Sequence, residues 1–406
     1  MTMRASVPVD EVVEAITTKL RANGYKESTI GVQCRELKRL ERWCLEHGGQ
    51  YTSELGSQFA AMTISPRTGR FSLRRYKSFG RLTRLADSYL ATGEVDLAMR
   101  KRTNGTKPSP GCERFTRLLA DWDRDMNSRN LSAESRYQSR EVARRFLLHA
   151  QSAGCTSVEQ ITGSDVLGFL TNLSATLSQA SMRTYVAVLR PFLKYTQFES
   201  LVSAASIMRF ERPRLILGVL TDDETTAVST TLVSTKIATR DRAVVLLAMT
   251  VGLRACDIVG LKLENIDWRG QRIIVNQSKT SNLLVLPLLP AVGNALAQYL
   301  LHERPTTNDR HVFVRAKAPH SQLSGHSAIY AIIRRVFTEA GLGPNRSGTR
   351  LTRHSAASKM LVGGTPLPTI AAVLGHSQPK SVDRYLEIDV DRLRACVLPL
   401  PQAVKP

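Results

Sequence analysis

Five side chains in the last third of the sequence have the types and the order to act on a phosphodiester: Arg254, Lys279, Arg353, His376 and Tyr385. Arg254 closes the run Thr250-Val251-Gly252-Leu253-Arg254, and Arg353 closes Gly348-Thr349-Arg350-Leu351-Thr352-Arg353 just before His354. His376 ends Leu374-Gly375-His376, and Tyr385 follows it by nine positions. Singly, each has an ordinary use: a surface arginine, a solubilising lysine, a packing tyrosine. Together they have a common chemistry. A phosphodiester attacked in line gathers negative charge on its equatorial oxygens, and fixed cations there favour the transition state over the ground state. Two arginines supply bidentate clamps that stay charged, and a lysine can protonate a leaving oxygen. A tyrosine hydroxyl, ordinarily of pKa about 10, becomes a nucleophile when nearby cations favour its ionised form.

These side chains need elements to hold them. An apolar helical run, Arg242–Met249, leads into the Gly-Leu-Arg turn, and Asp257 lies one helical turn beyond Arg254. Arg272-Ile273-Ile274-Val275 and Leu283-Leu284-Val285-Leu286-Pro287 flank the polar Ser278-Lys279-Thr280-Ser281-Asn282, which predicts a β-hairpin with Lys279 at or near its tip. Arg350 stands three residues before Arg353 and shares its helical face. From Thr221-Asp222-Asp223-Glu224, a helix start with early acids, the chain reads as mixed helix and strand.

Composition narrows the partners. The 406 residues carry 56 Lys+Arg against 35 Asp+Glu, a net charge of +21, with 42% hydrophobic residues and 22% charged. Such a chain can bury real cores and is no disordered polyelectrolyte. The surplus points to a polyanion, nucleic acid above all. No apolar run approaches the ~20 residues of a spanning helix, and the stretch from Met1 to Glu11 lacks an apolar leader core. The cysteines, at 34, 44, 112, 155, 256 and 396, show neither CxxC spacing nor a neighbouring His cluster, so no zinc module or disulfide framework is expected. A soluble, reduced, cytoplasmic protein that meets nucleic acid rather than a membrane is the expectation.

The charge is spread: net +8 over residues 1–110, +4 over 111–215 and +9 over 216–406. Turn-forming residues 103–111 and Glu211-Arg212-Pro213-Arg214 suggest divisions, giving domains at 1–103, 112–210 and 216–406. The first two look like copies of one helical unit. Arg35-Glu36-Leu37 matches Arg140-Glu141-Val142 and Gly49 matches Gly154, offset by 105; Ser72–Tyr76 matches Ser181–Tyr185 and Arg81 matches Arg190, offset by 109. Between Glu54 and Asp87 there is no acid but seven basic residues. Arg74, Lys77, Arg81 and Arg84 recur at helical spacing on one face, with Phe79, Leu82, Leu85 and Tyr89 as an apolar stripe on another. Unrelieved repulsion among those cations makes a phosphate backbone the expected partner, and Arg183 and Arg190 are candidate DNA-binding residues in the second unit.

The motif set Arg254, Lys279, Arg353, His376 and Tyr385 resembles the active site of the tyrosine recombinases, the phage integrase family. The resemblance covers about residues 221–393. The preceding hundred residues resemble the family's helical core-binding domain, and the first hundred the extra helical (SAM-like) domain of some members. It implies a fold that is mainly α with a small β-sheet: two helical DNA-binding domains followed by a mixed α/β catalytic domain, closed as a clamp around duplex DNA. Tyr385 would form a 3′-phosphotyrosyl link and release a 5′-hydroxyl. Arg254 and Arg353 would hold the non-bridging oxygens, Lys279 would protonate the departing oxygen, and His376 would donate to the phosphate. Asp257 would brace Arg254. The 5′-hydroxyl of a partner strand then reverses the step, so neither ATP, metal nor other cofactor is needed. The resemblance further implies a bacterial protein that forms a homotetramer on synapsed sites, with accessory or partner recombinase proteins as further candidates, in the integration or transposition of a mobile element. A helix around Asp391–Cys396, with Leu393 and Val397 as an apolar stripe, would dock on a neighbouring subunit.

One position departs from the family pattern, which usually has His where this sequence has Arg350. Arginine cannot accept a proton at neutral pH, yet it can donate to phosphate. An active enzyme with altered proton handling is the expectation. The alternatives are DNA relaxation of the type IB topoisomerase kind, which resembles this chain in having a basic residue there, and a DNA-binding regulator with impaired catalysis.

Overall fold

The computed structural model describes residues 5–97, 108–208, 218–277, 283–343 and 346–375. Two compact units result, residues 99–214 and residues 1–98 with 215–406. Buried side chains form separate clusters drawn from residues 7–95, 115–205, 220–337 and 357–374. Among the described residues no helix is long and apolar enough to cross a membrane.

In the N-terminal part, β1 (Val7–Pro8) pairs antiparallel with β2 (Gln50–Tyr51), and around them lie α1 (Val9–Ala22), α2 (Glu27–Leu45), α3 (Ser53–Ala61) and α4 (Leu73–Thr92). Helix α1 buries Val9, Val12, Ile16 and Leu20, a stripe at three- and four-residue steps. Ser72 caps α4 by accepting from the Arg75 N–H, an arrangement worth about 1 kcal/mol. As its periodicity predicts, α4 buries Phe79, Leu82 and Leu85.

The middle unit contains α5 (Glu113–Ser128), α6 (Ala133–Ser152), α7 (Gly163–Ser174), α8 (Gln179–Tyr195) and α9 (Glu199–Ile207) around Phe115, Trp122, Phe146 and Phe192. Its first four helices repeat the order of α1–α4, but the equivalent positions are not those suggested by sequence identity. Burial matches Val9 with Phe115, Ile16 with Trp122, Leu20 with Met126, Leu37 with Ala143, Leu40 with Phe146 and Cys44 with Ala150, all 106 apart. In α4 and α8, Phe79 matches Val186, Leu82 matches Leu189 and Leu85 matches Phe192, all 107 apart. The offsets of 105 and 109 therefore pair residues on different faces. Arginines on solvent faces are interchangeable in position, whereas buried side chains are locked to the helical phase.

The C-terminal part begins with α10 (Asp222–Val233), whose Thr221–Glu224 capping box satisfies the first turn. Next come α11 (Thr239–Thr250), α12 (Ala255–Gly260) and a three-stranded antiparallel sheet, β3 (Ile266–Asp267), β4 (Arg272–Asn276) and β5 (Leu283–Pro287), in spatial order β3-β4-β5. Ile273 faces Leu286 and Val275 faces Leu284, with all four buried, while Val285 on the other face is exposed. This period-2 pattern is that of a hairpin covered on one side. Then follow α13 (Pro290–Gln298), α14 (His326–Glu339), α15 (Thr349–Val362) and α16 (Leu367–Leu374). Helix α11 is buried on most sides, through Ala243, Val244, Val245, Leu247 and Ala248, against α13, α14 and α15. It is the fixed core from which the Gly-Leu-Arg turn emerges.

Candidate functional site

Arg254 is the residue that caps α12, and Arg353 lies in the second turn of α15, 99 residues later. The fold brings them to one place. Arg353 Nη1 donates to the Gly252 carbonyl at 2.7 Å and its Nη2 to the Leu374 carbonyl at 2.6 Å. Arg254 Nη2 donates to the Gly375 carbonyl at 3.2 Å. Both guanidiniums are thus fixed on the backbone that leads directly to His376. Gly252 is required here by its φ of +65° and because a Cβ would fall 2.8 Å from Leu374 Cδ2.

Arg254 keeps donors in reserve. Its Nη1 is buried with no hydrogen-bond acceptor among the described residues. Asp257 Oδ2, on a fully buried side chain, is 3.9 Å from that nitrogen, an ion pair rather than a hydrogen bond. A buried charged donor without an acceptor is costly, and an anionic oxygen would satisfy it. Arg350 sits in the first turn of α15, exposed and one turn before Arg353. That turn contains no acid, so the Arg350 cation stands uncompensated at a helix end that favours negative charge. An incoming phosphate relieves both effects. Lys279, His376 and Tyr385 lie outside the described residues, as do Leu393 and Val397 of the expected docking helix; the strands flanking Lys279 form the expected hairpin.

The loop into α15 is held from below. Arg346 forms an ion pair with Glu224 and donates to the Val219 carbonyl. The Arg346 hydrogen bonds, then those from Thr221, hold the Glu224 carboxyl below its usual range.

The expected basic face of α4 is divided. Lys77 and Arg84 are exposed, Arg74 reaches to 3.8 Å from Glu36, and Arg81 lies over the Tyr25 ring, 5.8 Å from its centroid. In the middle unit Arg190 donates to the Ala205 carbonyl at 3.4 Å and Arg183 is half-buried. A larger concentration of charge was missed by sequence reasoning. A groove of about 550 Å³ between α2 and α4 is lined by Arg35, Arg39, Arg42, Arg67, Arg74 and Arg75 above an aromatic floor that includes Trp43 and Phe79. Glu36, 4% exposed, anchors the rim by pairing with Arg39 at 2.8 Å. The indole nitrogen of Trp43 is buried without a partner among the described residues. The spacing of Arg35, Arg39 and Arg42 by four and three residues was the available signal.

Residues 218–392 match the phage integrase family. A protein named as an integrase/recombinase, y4rA of Sinorhizobium fredii, is 33% identical over 281 residues, 68% of each chain. Among solved structures, the XerH site-specific recombinase bound to a palindromic difH substrate, in a post-cleavage complex, is similar at a TM-score of 0.53 and 16% identity, over 73% of this chain and 98% of that one. A lambda integrase tetramer bound to a Holliday junction matches at a TM-score of 0.52 and 17% identity, over 79% and 90%.

Proposed function

The chain belongs to the phage integrase family, and on that premise we propose how it acts as a site-specific DNA recombinase on duplex DNA. The observation that carries this reading is the convergence of Arg254 and Arg353 on the Leu374-Gly375 carbonyls, with a buried Arg254 nitrogen still lacking an acceptor. The scissile phosphate supplies that acceptor. Two guanidiniums on its non-bridging oxygens stabilise the charge that develops in the transition state. Tyr385, its proton lost to solvent as the cations of the site favour the phenolate, attacks phosphorus, giving a 3′-phosphotyrosyl bond as the bond to the 5′ oxygen breaks, and Lys279 gives that oxygen its proton. His376 donates to the phosphate, Arg350 adds a third cation, and Asp257 orients Arg254. Attack by the 5′-hydroxyl of a partner strand restores the tyrosine and the phosphodiester. One ester replaces another at each step, so the reaction needs no ATP, and the cations Arg254, Arg350, Arg353 and Lys279 take the charge-stabilising role that a metal ion would otherwise fill.

The remaining parts follow the same premise. Residues 1–103 and 112–210 act as DNA-binding domains and 216–406 as the catalytic domain. In the first domain the arginine groove between α2 and α4, with Lys77 and Arg84 nearby, takes the phosphate backbone. Strand exchange needs two duplexes, hence a multimer, a tetramer on synapsed sites. We infer the bacterial cytoplasm as its place of action, where the duplex of a mobile element is accessible to it.

The test uses a nicked duplex carrying the attachment site beside the protein's own gene. The protein is expected to become trapped as a 3′-linked adduct without magnesium, and Tyr385→Phe to abolish the adduct while leaving binding intact. An adduct that survives Tyr385→Phe, or none with the parent chain, overturns the assignment.

A further inference from the structure

Three side chains from three separate elements donate to two consecutive carbonyls at the end of α16. Two are those of Arg353 and Arg254. The third is Gln277, whose Nε2 donates to the Leu374 carbonyl at 3.3 Å. Gln277 is the first residue after β4, stands two before Lys279 in the sequence, and is 1% exposed. Because Leu374 offers an acceptor, the nitrogen of the amide must face it, which fixes the orientation of the group. The amide also lies flat against Gly375. A Cβ there would fall 2.1 Å from Gln277 Oε1 and 2.2 Å from Nε2. Gly375 itself has φ +61° and ψ +50°, the left-handed region. Residue 375 is thus glycine for two reasons, and one of them is the Gln277 side chain.

Packing alone does not explain a glutamine at this position. Burying an amide is unfavourable unless its hydrogen bonds are regained, and an apolar side chain would fill the hairpin root without that cost. What the amide adds is direction: a bond from the root of the β4–β5 hairpin to the same carbonyl that Arg353 uses. We infer that Gln277 is a positioning residue for strand cleavage. It ties the hairpin root to the Leu374-Gly375 turn, which Arg254 and Arg353 already hold, so the chain that continues to Lys279 starts from a fixed point. The inference rests on the proposed role of Lys279 as the acid for the departing 5′ oxygen.

That dependence supplies the test. A 5′ oxygen needs a proton to leave, whereas sulfur at the same bridging position departs as a thiolate, whose acid has a pKa of about 8.5. Single-turnover cleavage is measured for the full chain on matched suicide duplexes with bridging oxygen or bridging 5′-sulfur. Gln277→Leu and Gln277→Glu are expected to slow the oxygen substrate roughly 10- to 100-fold, to leave duplex affinity unchanged, and to cleave the sulfur substrate within about threefold of the parent. Should Gln277→Leu fail to fold, Gln277→Glu, of the same shape but without the amide donor, carries the measurement. Lys279→Ala should behave the same way, and Arg254→Ala should be slow on both substrates. If Lys279→Ala is restored by sulfur but the Gln277 variants are slow on both, or normal on both, the inference about Gln277 is overturned and the acid assignment stands. If Lys279→Ala is not restored by sulfur, the acid assignment falls, and the inference built on it falls too.

Discussion

In α2 the buried position occupied by Glu36 corresponds, 106 residues on, to Val142 in α6. That single difference runs through the two helical units. In the N-terminal one, Glu36 holds Arg39 and Arg74 at the rim of the groove, while Arg35, Arg42 and Arg67 line it with no carboxylate partner among the described residues. In the middle one, arginines are matched with acids along the helices: Arg117 with Glu113, Arg124 with Asp121, Arg129 with Asp125, Arg136 with Asp123, and Arg144 and Arg145 with Glu141. The same helical frame therefore carries two kinds of basic surface. Exposed pairs contribute little to stability, but they occupy arginines that would otherwise bind phosphate. The stretch from residue 55 to 86, which has no acid at all, supplies Arg67, Arg74 and Arg75 to the groove, and α2 with its C-cap supplies Arg35, Arg39 and Arg42 together with Glu36 and Glu46. On the proposed reading the first copy would bind a phosphate backbone with a strong salt dependence, whereas the second has six of its arginines paired with acids.

Removing the groove cations tests this contrast most severely. Replacing Arg35, Arg42 and Arg67 together by Ala should lower the slope of log affinity for duplex DNA against log salt by about 3, near 0.9 for each phosphate left without its arginine. The matched set Arg117→Ala, Arg124→Ala and Arg129→Ala in the middle unit should change it by less than about 1. Equal changes in the two sets would break the comparison.

Acid should separate the units next. At the start of α7 the Thr162 N–H and hydroxyl both donate to the Asp165 carboxylate and cap the helix, whereas the corresponding Thr52 of α3 has Leu55 three residues on and only accepts from its N–H. Hydrogen bonds from the Thr162 backbone and hydroxyl hold the Asp165 carboxyl below its usual range. A depressed carboxylate contributes stability that is complete above the unfolded value, about 3.9, and is lost as pH falls through the lower folded value. Hydrogen exchange in α7 should accelerate relative to α3 as pH drops below about 4, after correction for intrinsic rates. Asp165→Asn should remove the difference; a persistent difference in that variant would rule out the Asp165 cap as its source.

The smallest effect is expected where the two copies differ most visibly. Glu36→Leu brings an apolar side chain, as at Val142, into the first unit. Removing one partner of an ion pair is costly when the other charge is left buried, but Arg39 and Arg74 are largely exposed and remain hydrated once Glu36 is gone. Thermal unfolding should shift by no more than about 1 kcal/mol. A loss of several kcal/mol would mean that Glu36 holds the fold and not merely the rim.

Several features were legible from residue order. The stripe Phe79, Leu82, Leu85 predicted the buried face of α4, and alternation across residues 272–275 and 283–287 predicted the β4–β5 hairpin. The Gly-Leu-Arg and Arg-His motifs singled out Arg254 and Arg353 by residue type, and the fold brings both onto the adjacent carbonyls of Leu374 and Gly375. The repeat was visible as well, but in the wrong phase. Its arginines lie on solvent faces, where a shift of one to three residues changes nothing that packing can detect.

Local sequence determined the helices, the hairpin, the surplus of positive charge and the two arginines, since each follows from spacing within a few turns or from side-chain chemistry. Tertiary structure alone decided which charges gather and which residues hold the arginines in place. Glu36 and Arg74 are 38 positions apart and Gln277 and Gly375 are 98 apart, and no periodicity links them. They meet because separate helices and strands bury their apolar faces together, and that packing brings a carboxylate under an arginine rim and an amide onto a bare Cα.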